Sequence, residues 1–164
     1  MDIQLKPVES EHLKGLLELS KGLPEDQQKA VANNLISLAE AYVNYEKAWP
    51  RVIFDGDTMI GFLMVDLQFD QSVDEADYPF KLIDEPERPS CELWRLMLGK
   101  AYQGKGYGTK VLDRLIIELK KMNYKTLFTS CVRLHPMPYA FYMHYGFIDT
   151  GHNNGEQILK LALK

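Results

Sequence analysis

Cysteine is scarce in this chain of 164 residues, with only Cys91 and Cys131, both in strand-like stretches. So few thiols fit reduced, buried side chains of a cytoplasmic protein better than a disulfide framework. Histidine is scarce too: His12, His135, His144 and His152 stand at no ligand spacing, so no metal is expected. Lysine and arginine number 19 against 23 aspartates and glutamates, a net charge of −4, and no basic stripe marks the chain as a nucleic-acid binder. No apolar run reaches the length of a membrane span, and the opening Met1-Asp2-Ile3-Gln4 has no signal-peptide core, so neither a membrane partner nor secretion is expected. Repeats and low-complexity tracts are missing as well. What remains, with 46% hydrophobic and 11% aromatic residues, is the composition of a globular protein. Its length suits one domain over residues 1–164.

Periodicity sketches the elements. Residues 2–8 suit a strand and 9–20 a helix, with Ser10 as its cap and Leu13, Leu16 and Leu17 at helical spacing. Val31, Leu35, Leu38, Tyr42 and Tyr45 step by three or four, predicting a longer helix that starts near Pro24 and is ended by Pro50. Residues 51–54 and 58–69 read as a hairpin across Asp55-Gly56-Asp57. Residues 70–90 hold Pro79, Pro86 and Pro89 and read as a long surface loop. Then come a strand at 91–98, a helix at 106–122, a strand at 125–132, a short helix at 137–145 and strands at 147–150 and 156–163, the last two joined through Asn153-Asn154-Gly155.

The most informative stretch is Tyr102-Gln103-Gly104-Lys105-Gly106-Tyr107-Gly108. It follows the apolar run Leu93-Trp94-Arg95-Leu96-Met97-Leu98 and precedes a helix whose Val111, Leu112, Leu115, Ile116 and Leu119 share one face. Glycines at a strand-to-helix junction leave bare N–H groups beside the positive end of a helix, which suits a pyrophosphate. The spacing fits neither the Gly-x-Gly-x-x-Gly dinucleotide pattern nor the phosphate loop of nucleotide triphosphatases. Gln103-x-x-Gly106-x-Gly108 resembles instead the acetyl-CoA pyrophosphate loop of the GNAT N-acetyltransferase superfamily. Phe141-Tyr142-Met143-His144-Tyr145-Gly146-Phe147 is similar to that family's closing signature.

The resemblance implies an α/β (α+β) GNAT fold, a mixed and mostly antiparallel central sheet splayed at two strands and flanked by helices. Acetyl-CoA would be the co-substrate, held by Gln103, Gly104, Lys105, Gly106, Tyr107, Gly108 and Thr109, with backbone groups of Leu96, Met97 and Leu98 donating to the pantetheine arm and to the oxyanion. A direct attack by an amine requires its deprotonation, which at pH 7 costs roughly 4 kcal/mol for an amine of pKa near 10. Glu92 is the candidate base, or else a solvated strand residue. Tyr142 matches the family's general acid, the bland alternative being one more core aromatic. His135 stands where many members have an Asn that bonds pantetheine.

For the acceptor, residues 70–88 place seven carboxylates, among them Asp74, Glu75 and Asp77, against Lys81 and Arg88, leaving the rest of the chain close to neutral. Such a cluster attracts a polycation, or is only solvated surface. Trp94, on the same strand face as Glu92, offers a cation–π surface for an ammonium group, or is core. The segment from Leu93 to Gly108 looks closest to bacterial spermidine/spermine (diamine) N-acetyltransferases, so the substrate expected is a small-molecule amine of the polyamine class. The alternatives are another amine, such as an aminoglycoside, an amino acid or a protein amine, and a non-catalytic module sensing acetyl-CoA or polyamine. A homodimer is compatible with all three.

Overall fold

The structure, a computed structural model, describes residues 1–30, 32–72, 87–132, 136–153 and 155–164. Its strands are β1 (Ile3–Lys6), β2 (Ala48–Asp55), β3 (Thr58–Asp66), β4 (Ser90–Leu98), β5 (Thr126–Val132), β6 (Ile148–Asn153) and β7 (Glu156–Ala162). They join one sheet in the order β1-β2-β3-β4-β5-β7-β6. The β4–β5 pair is parallel, whereas β1–β2, β5–β7 and β6–β7 are antiparallel. The helices are α1 (Leu13–Lys21), α2 (Glu25–Ala30), α3 (Asn34–Val43), α4 (Phe69–Ser72), α5 (Tyr107–Lys121) and α6 (Pro136–Tyr145). Among the described residues no helix is long and apolar enough to cross a membrane. The mixed α/β architecture is the one expected.

The chain divides into two compact units, Met1–Val65 with Arg95–Glu118, and Asp66–Trp94 with Leu119–Lys164. In the first, Ile60, Phe62, Leu63, Met64 and Val65 are buried in succession, so β3 is covered on both faces. Val111, Leu112 and Leu115 bury one side of α5, at about 1.5–3 kcal/mol for each side chain removed from water. Gly61 is forced by packing: a Cβ there would meet the Met97 carbonyl oxygen at 2.3 Å. In the second unit β5 lies between β4 and β7, with Leu127 and Phe128 buried and the Phe128 ring 5.0 Å from that of Phe69. Cys91 and Cys131 are free and buried here. Burial pushes the Cys131 thiol up to about 11 and the Cys91 thiol higher still.

Two expectations are corrected. The long helix from Pro24 to Pro50 is two helices, α2 and α3, separated by Asn33, whose Oδ1 accepts the Leu35 N–H at 2.9 Å as an N-cap. Pro50 lies inside β2, ahead of the four residues from Val52 to Asp55 that pair with β1, so its missing N–H breaks no bond of that ladder. Of the residues whose spacing predicts this helix, Leu35, Tyr42 and Tyr45 are exposed and Leu38 is half-buried, while Asn34, Ser37 and Ala41 form the buried side. The cause is polar: the Asn34 side chain donates to the Leu16 carbonyl at 2.9 Å and its N–H donates to the Ser20 hydroxyl at 3.0 Å, which ties the polar face of α3 to α1.

Candidate active site

The glycine loop lies wholly in the first unit. A 3-10 turn, Lys100–Tyr102, leads into it, and Gly104 and Gly106 take φ values of 68° and 83°, which residues with a Cβ rarely adopt. Beyond both glycines lies open space, with nothing within 4 Å of where a Cβ would stand. The Lys110 N–H donates to the Gly106 carbonyl, one turn into the helix. By helix geometry the amides of Tyr107, Gly108 and Thr109 therefore have no acceptor in the preceding turn. Exposed Gly104, Lys105, Gly106 and Thr109 thus surround bare amides at the positive end of a 15-residue helix.

The side chains around the loop fasten it from outside. Gln103 and Gln27 exchange amide hydrogen bonds at 2.9 and 3.1 Å, and Gln103 Nε2 also donates to the Leu98 carbonyl at 2.9 Å. The Tyr107 hydroxyl donates to Asp55 Oδ2 at 2.9 Å, while the other Asp55 oxygen accepts the Asp2 N–H. That backbone bond, with the one from Tyr107, lowers the Asp55 carboxyl; the Asp55 bond in turn raises the Tyr107 phenol. Lys105 does not extend freely, because its ammonium donates to the Ala101 carbonyl at 2.8 Å. Leu96 and Leu98 are half-buried and Met97 is buried on the part of β4 that enters this unit.

Tyr142, Glu92 and Trp94 belong to the second unit. Tyr142 sits on α6, buried, its ring 5.2 Å from those of Phe141 and Phe147. Gly146, at φ 119°, ends the helix; its N–H and that of Phe147 both donate to the Tyr142 carbonyl, at 3.2 and 3.0 Å. The Tyr142 hydroxyl is hydrogen-bonded to Thr129, a buried β5 residue that sequence reading missed. Thr129 donates its own proton to the Leu93 carbonyl at 3.1 Å, which leaves Tyr142 as the donor in their pair. Burial holds the Tyr142 phenol far above its ordinary value. Glu92 and Trp94, two apart on β4, are both half-buried, and Leu93 between them is buried on the opposite side. In the parallel register Glu92 stands beside Phe128 and Leu93 beside Thr129.

Asp74, Glu75, Asp77 and His135 lie outside the described residues. Two acids of the same segment have internal work: Asp70 Oδ2 accepts the Ser90 N–H at 3.2 Å, and Glu87 pairs with Lys160. Besides Thr129, sequence reading missed Gln27 and Asp55 as supports of the loop. The buried threonine between Phe128 and Ser130 was the only detectable signal, as a polar residue on an inward strand position.

Residues 19–147 match the Acetyltransferase (GNAT) family. No curated protein matches the chain significantly. Among solved structures, the PaiA N-acetyltransferase of Thermoplasma acidophilum in complex with coenzyme A is 17% identical with a TM-score of 0.67, over 99% of each chain. A spermidine N-acetyltransferase chimera of Vibrio cholerae SpeG and hSSAT is also 17% identical, TM-score 0.67, over 99% of this chain and 96% of that one. The ribosomal-protein-S18-alanine N-acetyltransferase of Escherichia coli is 15% identical, TM-score 0.65, over 99% and 94%. At these identities the likeness establishes the fold.

Proposed function

Because the chain belongs to the GNAT acetyltransferase family and is an acyltransferase of that type, we propose that it transfers an acetyl group from acetyl-CoA to a primary amine of a polyamine such as spermidine or spermine. The observation that carries the first half is the loop at Gly104 and Gly106, open above both glycines and backed by the amides that begin α5. Coenzyme A presents a pyrophosphate, and this cradle fits one. The thioester supplies the acyl group, and the chain supplies proton traffic and positioning. Glu92 takes a proton from the ammonium form of the amine, directly or through water. The neutral nitrogen attacks the carbonyl, whose developing negative charge is met by backbone N–H groups of the Leu96–Leu98 stretch. Tyr142 then protonates the departing thiolate. Burial holds the Tyr142 phenol far above its ordinary value, so its proton is in place at every pH where the amine becomes neutral.

Charge and likeness of fold indicate the acceptor class. Seven carboxylates fall within residues 70–88, including Asp74, Glu75 and Asp77, and a spermidine N-acetyltransferase is among the proteins of like fold. Trp94 adds an aromatic surface for an ammonium group. A protein amine is the competing acceptor, favoured by the likeness to an alanine N-acetyltransferase. Release of free coenzyme A, followed with spermidine, spermine, putrescine, lysine, an aminoglycoside and a peptide with N-terminal alanine, separates these readings. Polyamines should give the highest kcat/KM. Turnover confined to the peptide would replace the polyamine with a protein acceptor, and no turnover with any amine, alongside acetyl-CoA binding, would leave a sensing module.

A further inference from the structure

Helix α3 is built inside out. At 100° per residue, Leu35, Ile36, Ala39, Tyr42 and Val43 fall within one arc of about 120°. All five are exposed, with Ile36, Tyr42 and Val43 at 57%, 81% and 71% of full accessibility. The opposite side, Asn34, Ser37 and Ala41, is the buried one. The arc contains no charge and no polar group but the Tyr42 hydroxyl. A further exposed aromatic, Tyr45, follows two residues past the helix end. Single exposed apolar residues are ordinary; a continuous uncharged stripe along a whole helix, on a chain in which a quarter of all residues are charged, marks an interaction surface.

We propose that this face binds a second copy of the chain, α3 against α3 about a two-fold axis passing beside Ala39. The pattern of side-chain size favours that occupant. Counted from Ala39, large side chains stand at −4 and −3 (Leu35 and Ile36) and again at +3 and +4 (Tyr42 and Val43). A two-fold interface pairs each position with its opposite number. Leu35 then meets Val43 of the other copy and Ile36 meets Tyr42, while the two alanines face each other and let the helix axes come close. The row Leu35–Ala39–Val43 is an i±4 ridge, the kind that packs against its own copy at about −50°. The absence of charge means that self-association brings no like charges together.

The stripe would form the apolar centre of such an interface and leave the rest of its area to the rim. With about 60–120 Å² for a large aliphatic side chain and 150–250 Å² for an aromatic one, the stripe leaves on the order of 400 Å² of apolar surface in water, about half of the ~800 Å² that each partner of a stable dimer contributes. Tyr45 and the residues around the stripe are available for the rim.

Light scattering on the full chain at roughly 50 µM should give twice the monomer mass. The variant Tyr42→Asp/Val43→Asp should weaken the dimer by at least 10²-fold and run as a monomer, with its far-ultraviolet dichroism and thermal transition kept because both positions are exposed. Ala39→Cys should form a disulfide-linked dimer under mild oxidation, since the axis brings the two thiols together. Lys14→Cys, exposed on α1, should not. A monomeric parent chain would overturn the proposal and leave the stripe to a different partner. A dimer that survives the double substitution, or an Ala39→Cys variant that cross-links no better than Lys14→Cys, would overturn it as well.

Discussion

The acid role proposed for Tyr142 makes a demand that Tyr142→Phe tests almost in isolation. The substitution removes one oxygen from a buried ring whose other surroundings, the Phe141 and Phe147 rings and the two amides on its carbonyl, do not depend on the hydroxyl. Thr129 loses the proton it accepts but keeps its bond to the Leu93 carbonyl, so no buried donor is orphaned. The structural cost is then one net hydrogen bond, about 0.5–1.5 kcal/mol, or a fall of roughly 2–6 °C in Tm for a domain of this size. General acid catalysis is worth about 10² to 10⁴ in rate, equivalent to roughly 3–5 kcal/mol of barrier. The two magnitudes separate the roles: kcat should fall at least 10²-fold while Tm moves little and acetyl-CoA binding is unchanged. Steady-state kinetics with saturating amine, beside a thermal melt with and without acetyl-CoA, measure all three. Since the phenol is raised, its protonated form persists as pH climbs, and the parent enzyme should show no alkaline loss of kcat up to about pH 10. Unchanged kcat in Tyr142→Phe, with chemistry limiting, would return Tyr142 to the core.

Gly106→Asp should abolish the thermal stabilisation that acetyl-CoA gives, which at 100 times its Kd amounts to about 2.7 kcal/mol, because the new carboxylate fills the open space and repels phosphate; equal shifts in parent and variant would misplace the site. Glu92→Gln should depress kcat/KM most at pH values where the amine is protonated, and a loss independent of pH would make Glu92 a positioning residue instead. Both thiols should react slowly with a disulfide reagent at pH 8 in the native state and rapidly in urea, since burial raises Cys131 to about 11 and Cys91 further; fast native modification would contradict their burial.

What was legible in the sequence is what local chemistry alone dictates. The buried face of α5 could be read from Val111, Leu112, Leu115 and Leu119 because apolar spacing and packing agree there, and the glycine loop because few backbones need two glycines beside a helix start. Helix α3 misled for the complementary reason. Its apolar residues have helical spacing, but the side turned inward was chosen by the hydrogen bonds of Asn34 to α1, which no periodicity encodes. Gln27 and Asp55 were invisible because each reaches its partner across a wide gap in sequence, 76 residues to Gln103 and 52 to Tyr107. The closing signature lies between these cases. As a string it could be matched without its physics; in the structure each part holds one end of Tyr142. Gly146 and Phe147 grip its carbonyl through their amides, Phe147 packs on its ring, and Thr129 takes its hydroxyl proton. The signature therefore constrains where a phenol stands more than it constrains what the phenol does. It follows that Gly146→Ala, which disturbs the cap at φ 119° without touching the hydroxyl, should lower kcat by displacing Tyr142, and an assay showing normal turnover in that variant would mean that the cap and the chemistry are independent.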